Sequence, residues 1–191
     1  MADKLSMMGN GFWLDRLAPY GMVLARVIIG YLWYDQLDWK MPPTFACPPD
    51  FAVSTGPDAR TSGLCDWSGL VAVYSKIPAH AALFRDFINP NLSWIGWIVW
   101  IAEALTAALL ILGLLSRLGG FLGLVQAVNL YIGLAAAPME WPWSYGQLVV
   151  LQMIFFFIPP GRTLGIDAWL RSRAAAAGED SRLARFLNWV T

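Results

Sequence analysis

The sequence predicts an all-α membrane protein: a bundle of four transmembrane helices, with an interfacial helix in its outer loop and an amphipathic helix at its C-terminus. Of the 191 residues, 58% are hydrophobic and only 14% are charged, whereas soluble domains carry about 25% charged residues. Four segments are also apolar over roughly the 20 residues that a helix needs to cross a hydrocarbon core of about 30 Å. These segments are residues 17–37, 94–115, 118–137 and 143–160.

The apolar segments differ in length and charge. Arg26 interrupts the first segment, Glu103 is the one charged residue of the second, and the third has none. The fourth is the shortest and ends at a Pro-Pro-Gly sequence, which stops a helix. Because backbone polar groups cannot stay unpaired in lipid, each crossing must be helical. The polar N-terminus does not read as a cleavable signal peptide, so we expect the first helix to be retained.

The distribution of basic residues predicts the orientation of the bundle. The basic residues that four crossings place on one side are Lys4, Arg16, Arg117, Arg162, Arg171, Arg173, Arg182 and Arg185. By the positive-inside rule this side is cytoplasmic, together with both termini and the tail 161–191. The loop 38–93 then lies outside, and residues 1–191 form a single integral-membrane domain. A formal net charge of zero gives a nucleic-acid partner no electrostatic support.

The outer loop has two dissimilar halves. Its first half is rich in proline and glycine and is predicted to be irregular. In its second half apolar residues recur at three- and four-residue steps, which indicates a helix that Pro78 bends or restarts. These residues are Leu70, Tyr74, Ile77, Ala81, Phe84 and Ile88. We expect this helix to lie across the outer mouth of the bundle, either to cover apolar surface or to act as a lid over a ligand entrance.

The C-terminal tail carries a second amphipathic pattern. Its apolar stripe consists of Leu183, Phe186, Leu187 and Val190, and Arg182 and Arg185 lie off that stripe. The pattern predicts a helix that lies on the cytoplasmic surface or against a partner subunit.

Cys47 and Cys65 are the only cysteines, and both fall in the outer loop. In an oxidising periplasm they are predicted to form a structural disulfide, with two free thiols as the alternative. Closing a loop of this length is worth roughly 3 kcal/mol in the chain-entropy model. Two cysteines at this spacing do not make a CxxC motif or an iron–sulfur site.

Arg26 and Glu103 are ionisable residues at bilayer depth, where a charge costs about 2.5–3.5 kcal/mol and usually faces a bundle interior. Measured from the cytoplasmic ends of their segments, the two residues differ in depth by only about 5 Å. The sequence therefore predicts an Arg26–Glu103 ion pair between antiparallel neighbouring helices. Two roles remain open and are compatible: stapling the two helices, and contributing to a ligand-binding site.

Further polar side chains are predicted at a similar depth. Gln126 and Asn129 share a face of the third helix, and Tyr145 and Gln152 share a face of the fourth. They fit hydrogen bonding between helices, and they fit a pocket for a molecule with two carbonyl groups. Trp100 is the deepest of the outer tryptophans and the best candidate for stacking on a ring.

The histidine content limits the classes of cofactor. The only histidine, His80, falls in the outer loop and is predicted to be solvated. A bis-histidine haem is therefore excluded, and no metal site is expected. No phosphate-binding loop or catalytic triad is present. In any redox role, the electrons would be carried by a bound molecule or by the cofactor of a partner.

Three stretches of the chain resemble the DoxX/DoxD family of small four-helix bacterial membrane proteins. The first helix contains Ala25–Gly30 followed by Lys40, where the family has an arginine, a glycine and a terminal lysine. The second contains Ile101–Leu105, with a glutamate, and leads to Leu112–Arg117, which is similar to the glycine-leucine-x-Ser/Thr-Arg turn of the family. Pro160–Asp167 resembles the closing Gly-Arg-x-x-x-x-Asp element. The long proline-rich loop and the two cysteines depart from the family pattern.

The resemblance implies a four-helix bundle in a bacterial inner (cytoplasmic) membrane. It also implies a role as the membrane subunit of a thiosulfate:quinone oxidoreductase or as an accessory subunit of oxidative-stress or respiratory assemblies. The leading prediction is a quinone-associated subunit of a redox complex, without a covalent cofactor. Arg26 and Glu103 would anchor or protonate the head group, helped by Gln126, Asn129, Tyr145 or Gln152. The alternative is a non-catalytic assembly subunit that contacts other subunits or a second copy. A transporter is less favoured, because no inverted repeat is visible.

Overall fold

The computed structural model describes residues 2–54, 56, 58–176 and 186 of the chain. Within these residues all regular structure is helical, with no β-strand. The helices are α1 (Ala2–Asp38), α2 (Gly63–Tyr74), α3 (Pro78–Leu83), α4 (Leu92–Leu112), α5 (Ser116–Leu134), α6 (Pro142–Phe157) and α7 (Ile166–Ala176). The predicted C-terminal stripe lies outside the described residues, apart from Phe186.

Three helical stretches of the described residues are long and apolar enough to cross a membrane: Asp15–Asp38, Pro78–Leu112 and Ser116–Leu134. They correspond to the first three predicted crossings and support the prediction of a membrane protein. The second stretch is longer than predicted, because α3 continues through a π turn (Phe84–Ile88) and a 3₁₀ turn (Asn89–Asn91) into α4. α6 is shorter than these stretches, at 16 residues.

Consecutive long helices pack against each other: α1 on α4, α4 on α5, and α5 on α6. Glycines permit the close approach, as is common between membrane helices. A Cβ added to Gly30 would lie 2.9 Å from the Ile111 side chain, and one added to Gly120 would lie 2.6 Å from the backbone nitrogen of Phe156. We call the end of the bundle at the α4–α5 turn the inner end, and the opposite end the outer end.

The loop between α1 and α4 folds into an outer cap, comprising residues 39–91. As predicted, the described residues of its first half form turns and no helix before α2. α2 ends at Tyr74 and α3 begins at Pro78. Proline is tolerated there because a backbone N–H in the first turn of a helix has no hydrogen-bond partner within the helix. This confirms that Pro78 restarts the helix.

A disulfide closes the outer cap, and buried contacts hold the cap on the bundle. Cys47 and Cys65 lie at disulfide-bonding distance, with their Cα atoms 5.3 Å apart, in agreement with the predicted pairing. The fully buried Phe45 packs into the space left by Gly96 of α4, and Val71 of α2 packs against a glycine of α5. The cap therefore covers the outer halves of α4 and α5.

An ion pair orders the entry to α2. Arg60 donates several hydrogen bonds to the Asp66 carboxylate, which also accepts one from Thr61 N at 2.9 Å. Burial acts to raise the pKa of Asp66, but the bonds from Arg60 and Thr61 together outweigh it, so the pKa lies below its ordinary value. The carboxylate is therefore charged at neutral pH and fixes the segment before α2.

Candidate functional site

A buried ion pair joins the end of α1 to the middle of α4. α1 ends at Asp38, and the chain then turns so that Lys40 points along α4 towards Glu103. Lys40 Nζ donates to Glu103 Oε1 at 2.7 Å and lies 2.7 Å from Oε2. The two side chains are only 6% and 8% exposed. Burial of either charge alone would be costly, so each residue accounts for the presence of the other.

The predicted Arg26–Glu103 pair is wrong, because the register between α1 and α4 differs from the one assumed. Gly30 faces Ile111, and Arg26 lies against Gly113 at the inner end of α4. Glu103 lies ten residues before Gly113, which is about 15 Å further out. The prediction aligned the two segments end to end, whereas α4 extends outward beyond the end of α1.

Polar groups continue from the pair along one face of α4. Thr106, one turn inward from Glu103, is fully buried. Its hydroxyl donates to the Ala102 carbonyl at 2.8 Å and accepts a bond from Gln126 Nε2 at 2.9 Å. Trp100, one turn outward, has a buried indole N–H without a hydrogen-bond partner. Residues at three-residue spacing share a helix face, so Trp100, Glu103 and Thr106 form one polar line.

An aromatic ring lies directly at the ion pair. Lys40 Nζ lies over the half-buried ring of Trp39, 4.5 Å from its centroid. Trp39 also contacts Trp67 of α2, with the ring centroids 6.4 Å apart. The charged pair is therefore bordered by the ring of Trp39, and Trp67 extends this aromatic surface within the outer cap.

The other predicted site residues do not converge on Glu103. Asn129 Oδ1 lies 2.9 Å from His80 Nε2, so His80 is part-buried against α5 and not solvated as predicted. Tyr145 donates to Glu140 at 2.6 Å. Gln152 is fully buried against Gly123, and both its amide atoms lack hydrogen-bond partners. A similar predicted depth in the bilayer therefore does not make these side chains face one another.

Arg26 belongs to a second buried group at the inner end. A Cβ added to Gly113 or Gly165 would collide with Arg26 Nη1, so the guanidinium occupies space that the glycines leave. The fully buried Asp167 accepts bonds from Leu115 N at 2.6 Å and Ser116 N at 2.8 Å. Two of the Arg26 nitrogens, Nε and Nη1, are buried without a hydrogen-bond partner.

Sequence reasoning named Lys40 and Asp167 only within the family-like motifs and gave neither a role in the site. The structure brings those motifs together: Lys40 pairs with Glu103, and Arg26 lies beside Gly113 with Asp167 nearby. The sequence contains a signal for the Lys40–Glu103 pair, because Lys40 comes just after the first apolar segment and Glu103 lies within the second. A lysine at that position can reach the carboxylate if the second helix extends further outward than the first.

No protein-family model matches the chain, and no curated protein or solved structure is significantly similar to it. Among the described residues, no group of three or more histidine, cysteine, aspartate or glutamate side chains is arranged to hold a metal ion. The functional argument therefore rests on the geometry of the Lys40–Glu103 pair and its neighbours.

Proposed function

We propose that the chain is a DoxX/DoxD-like membrane subunit of a quinone-linked redox complex and that it binds the quinone head group at the Lys40–Glu103 pair. The observation that carries the proposal is this closed, almost fully buried pair with unused hydrogen-bonding capacity around it. An ammonium group has three protons, and the two oxygens of Glu103 account for at most two of them. The unpartnered N–H of Trp100 lies one helical turn away.

The chemistry of a quinone matches these groups. Its two carbonyl oxygens accept hydrogen bonds, which Lys40 and Trp100 would donate, and the ring would lie against the aromatic surface of Trp39. Reduction of a quinone to a quinol takes up two electrons and two protons. In this proposal a partner subunit supplies the two electrons, and water supplies the two protons. The Lys40 ammonium donates each proton in turn and is reprotonated from water, while the Glu103 carboxylate stabilises the charged form of the lysine.

The proposal includes a fourth membrane crossing formed by α6. α6 packs along α5, whose length and composition suit a crossing. Its 16 residues rise about 24 Å, which is close to the thickness of a bilayer that thins locally. Four crossings place the arginines of the inner end on the cytoplasmic side, and the outer cap with its disulfide on the periplasmic side.

Quinone content of the purified protein tests the proposal. The full chain is solubilised in mild detergent, and lipid-extractable quinone is measured for the wild type and for K40M/E103M. This double variant replaces both charges by apolar side chains of similar volume, so the fold is expected to survive. We expect quinone to co-purify with the wild type at a fixed ratio and to fall at least about 10-fold in the variant, as for the loss of one good hydrogen bond to a charged group.

The control variant is R85Q/D86N, which removes an ion pair whose side chains are both 64% exposed in the outer cap. It is expected to retain quinone at the wild-type level. The proposal fails if a well-folded K40M/E103M protein retains quinone as the wild type does, or if the wild type neither contains nor binds quinone.

The second candidate is a non-catalytic assembly subunit of a larger electron-transfer complex. A specific observation favours it: the ion pair connects the turn after α1 directly to α4. Such a contact can hold two helices together without binding a ligand. The disulfide-linked outer cap would then be a contact surface for partner subunits. Co-purification with a cofactor-bearing complex at fixed stoichiometry, unchanged by K40M/E103M, would support this candidate over quinone binding.

A further inference from the structure

A serine, a histidine and an asparagine form a chain of hydrogen bonds where the outer cap meets α5. Ser75 Oγ lies 2.8 Å from His80 Nδ1, and His80 Nε2 lies 2.9 Å from Asn129 Oδ1. The ring of Phe84 packs on the imidazole, with the two centroids 4.9 Å apart. The three polar residues come from the turn after α2, from α3 and from α5. The fold therefore assembles a set of side chains that no local sequence motif reveals.

Asn129 fixes the position of the proton on the His80 ring. A carboxamide oxygen only accepts hydrogen bonds, so His80 Nε2 carries the proton that Asn129 Oδ1 accepts. In the neutral ring Nδ1 then offers a lone pair to the Ser75 hydroxyl. The carbonyl oxygens of Ile77 and Ile132 lie 3.4 and 3.5 Å from Ser75 Oγ, so Nδ1 at 2.8 Å is the closest of these acceptors. A nucleophile, a base in hydrogen-bond reach and a group that orients the base are the parts of a serine hydrolase site.

The surroundings of Ser75 suit an ester substrate with an apolar chain. Ser75 and His80 are half-buried, so neither is closed off from the surface of the cap. Ile77 N lies 3.4 Å from Ser75 Oγ, and a backbone N–H in that position is a donor for the oxyanion of a carbonyl under attack. The side chains of Ile77 and Leu83 are 45% and 48% exposed. They provide apolar surface within three residues of the serine and the histidine.

We propose that Ser75, His80 and Asn129 form a hydrolytic site for carboxylic esters that carry an acyl chain. Ser75 Oγ bonds to the carbonyl carbon, and its proton moves to His80 Nδ1. The C–O bond of the ester breaks, and the leaving alcohol takes that proton. Water then attacks the acyl-serine and gives a proton to Nδ1, and Ser75 Oγ recovers this proton as the carboxylic acid leaves. Water is the only co-reactant, and the site does not depend on the quinone proposal.

Covalent labelling of the purified full chain with a fluorophosphonate, which reacts with activated serines, tests this inference. The adduct is mapped by digestion and mass spectrometry, and hydrolysis of p-nitrophenyl acetate and p-nitrophenyl octanoate is measured in parallel. The test variants are S75A, H80Q and N129A, and N129D keeps an oxygen that accepts the Nε2–H bond. The control is S144A, which removes a serine at the start of α6 whose hydroxyl donates to Trp141 O at 2.7 Å.

We expect an adduct on Ser75 and faster hydrolysis of the octanoate than of the acetate. Both reactions should be absent in S75A, fall about 100-fold in H80Q through loss of the base, and remain unchanged in S144A. In N129A they should fall at least about 10-fold, and N129D should recover most of that loss, because Asn129 acts by orienting His80. If H80Q does not fold, the adduct position in the wild type and the comparison of N129A with N129D replace it.

Three results would overturn the inference. The first is a folded wild type without label on Ser75, and the second is label on Ser144 to the same extent. The third is undiminished reaction in S75A or in a folded H80Q protein. Hydrolysis of the acetate as fast as the octanoate would overturn the assignment of an acyl-chain substrate, and N129D no more reactive than N129A would overturn the positioning role of Asn129.

Discussion

Lys40 and Glu103 illustrate how two charges become compatible with a membrane interior at the residue scale. Neither side chain reaches water to any extent, and each is neutralised by the other at 2.7 Å. The desolvation of two ions costs several kcal/mol, and the attraction within the pair offsets that cost without adding much stability. The pair is consequently weak as a source of stability and costly to break.

Single substitutions at this pair are expected to be more harmful than the double substitution. K40M or E103M alone leaves one uncompensated buried charge and should lower the free energy of unfolding by about 3–5 kcal/mol. K40M/E103M removes both charges and should recover most of that loss. Denaturation in detergent, followed by circular dichroism, measures all three variants. A double variant as unstable as the sum of the two single ones would contradict this account of the pair.

At the residue scale, the sequence predicted which ionisable side chains are buried, but it did not predict which ionic partners they have. Arg26 and Glu103 were predicted to face the bundle interior, and they are 3% and 6% exposed. Their predicted pairing was wrong, because hydropathy locates a segment in the bilayer only to within a few residues. Arg26 and Glu103 were predicted to differ in depth by about 5 Å, whereas they are about 15 Å apart along the bundle. This error of roughly two helical turns exchanged one ionic partner for another. The disulfide was easier to predict, since only two cysteines are present.

At the scale of elements, the outer cap combines predictable and unpredictable features. Apolar periodicity and Pro78 together predicted the second half of the loop, and the structure has α2 and α3 there. The continuous path from α3 into α4, which includes Arg85 and Asp86, was not predicted. Both side chains are exposed and pair with each other, so they do not interrupt the helical path.

The α5–α6 contact depends on glycines, and this leads to a prediction for that element. A Cβ on Gly120 would lie 2.6 Å from the Phe156 nitrogen, and backbone cannot move aside cheaply. G120A should therefore force the two helices apart and destabilise the protein by about 1–3 kcal/mol. The measurement is the midpoint of thermal unfolding in detergent.

G146A provides the matched control within the same helix pair. The nearest atom to a Cβ on Gly146 is a Tyr131 ring carbon at 3.9 Å, an ordinary contact distance. Because alanine favours a helix over glycine by about 1 kcal/mol, G146A should leave the midpoint unchanged or raise it. Equal destabilisation by both alanines would mean that close packing does not set the strength of this contact.

For the molecule as a whole, length and hydropathy predicted the membrane class and three helices that are long and apolar enough to cross a membrane. The part of the chain that the structure describes contains three helical stretches of suitable length and composition. The fourth crossing stays a prediction, because α6 has fewer residues than a helix normally needs to span a bilayer. Hydropathy alone does not separate a short crossing from a buried helix, and packing against a long neighbour is the additional information that favours a crossing.

Sidedness of the termini distinguishes four crossings from three. D58C lies in the outer cap and S172C lies on α7, and both side chains are exposed. With four crossings, a membrane-impermeant maleimide added to intact cells should label D58C and should label S172C only after permeabilisation. The native cysteines are paired and are not expected to react. Labelling of S172C from outside would indicate an odd number of crossings.

Photolabelling with an azido-quinone tests the central claim most directly, because it reports where a quinone sits. The purified protein is irradiated with the probe, digested and mapped by mass spectrometry, with unlabelled quinone as competitor. We predict competable label on peptides that contain Trp39–Lys40 or Trp100–Glu103, and loss of this label in K40M/E103M. Label confined to the groove lined by Gly146, Gln147, Val150 and Leu151 of α6, or label that the competitor does not reduce, would contradict a quinone site at the buried ion pair.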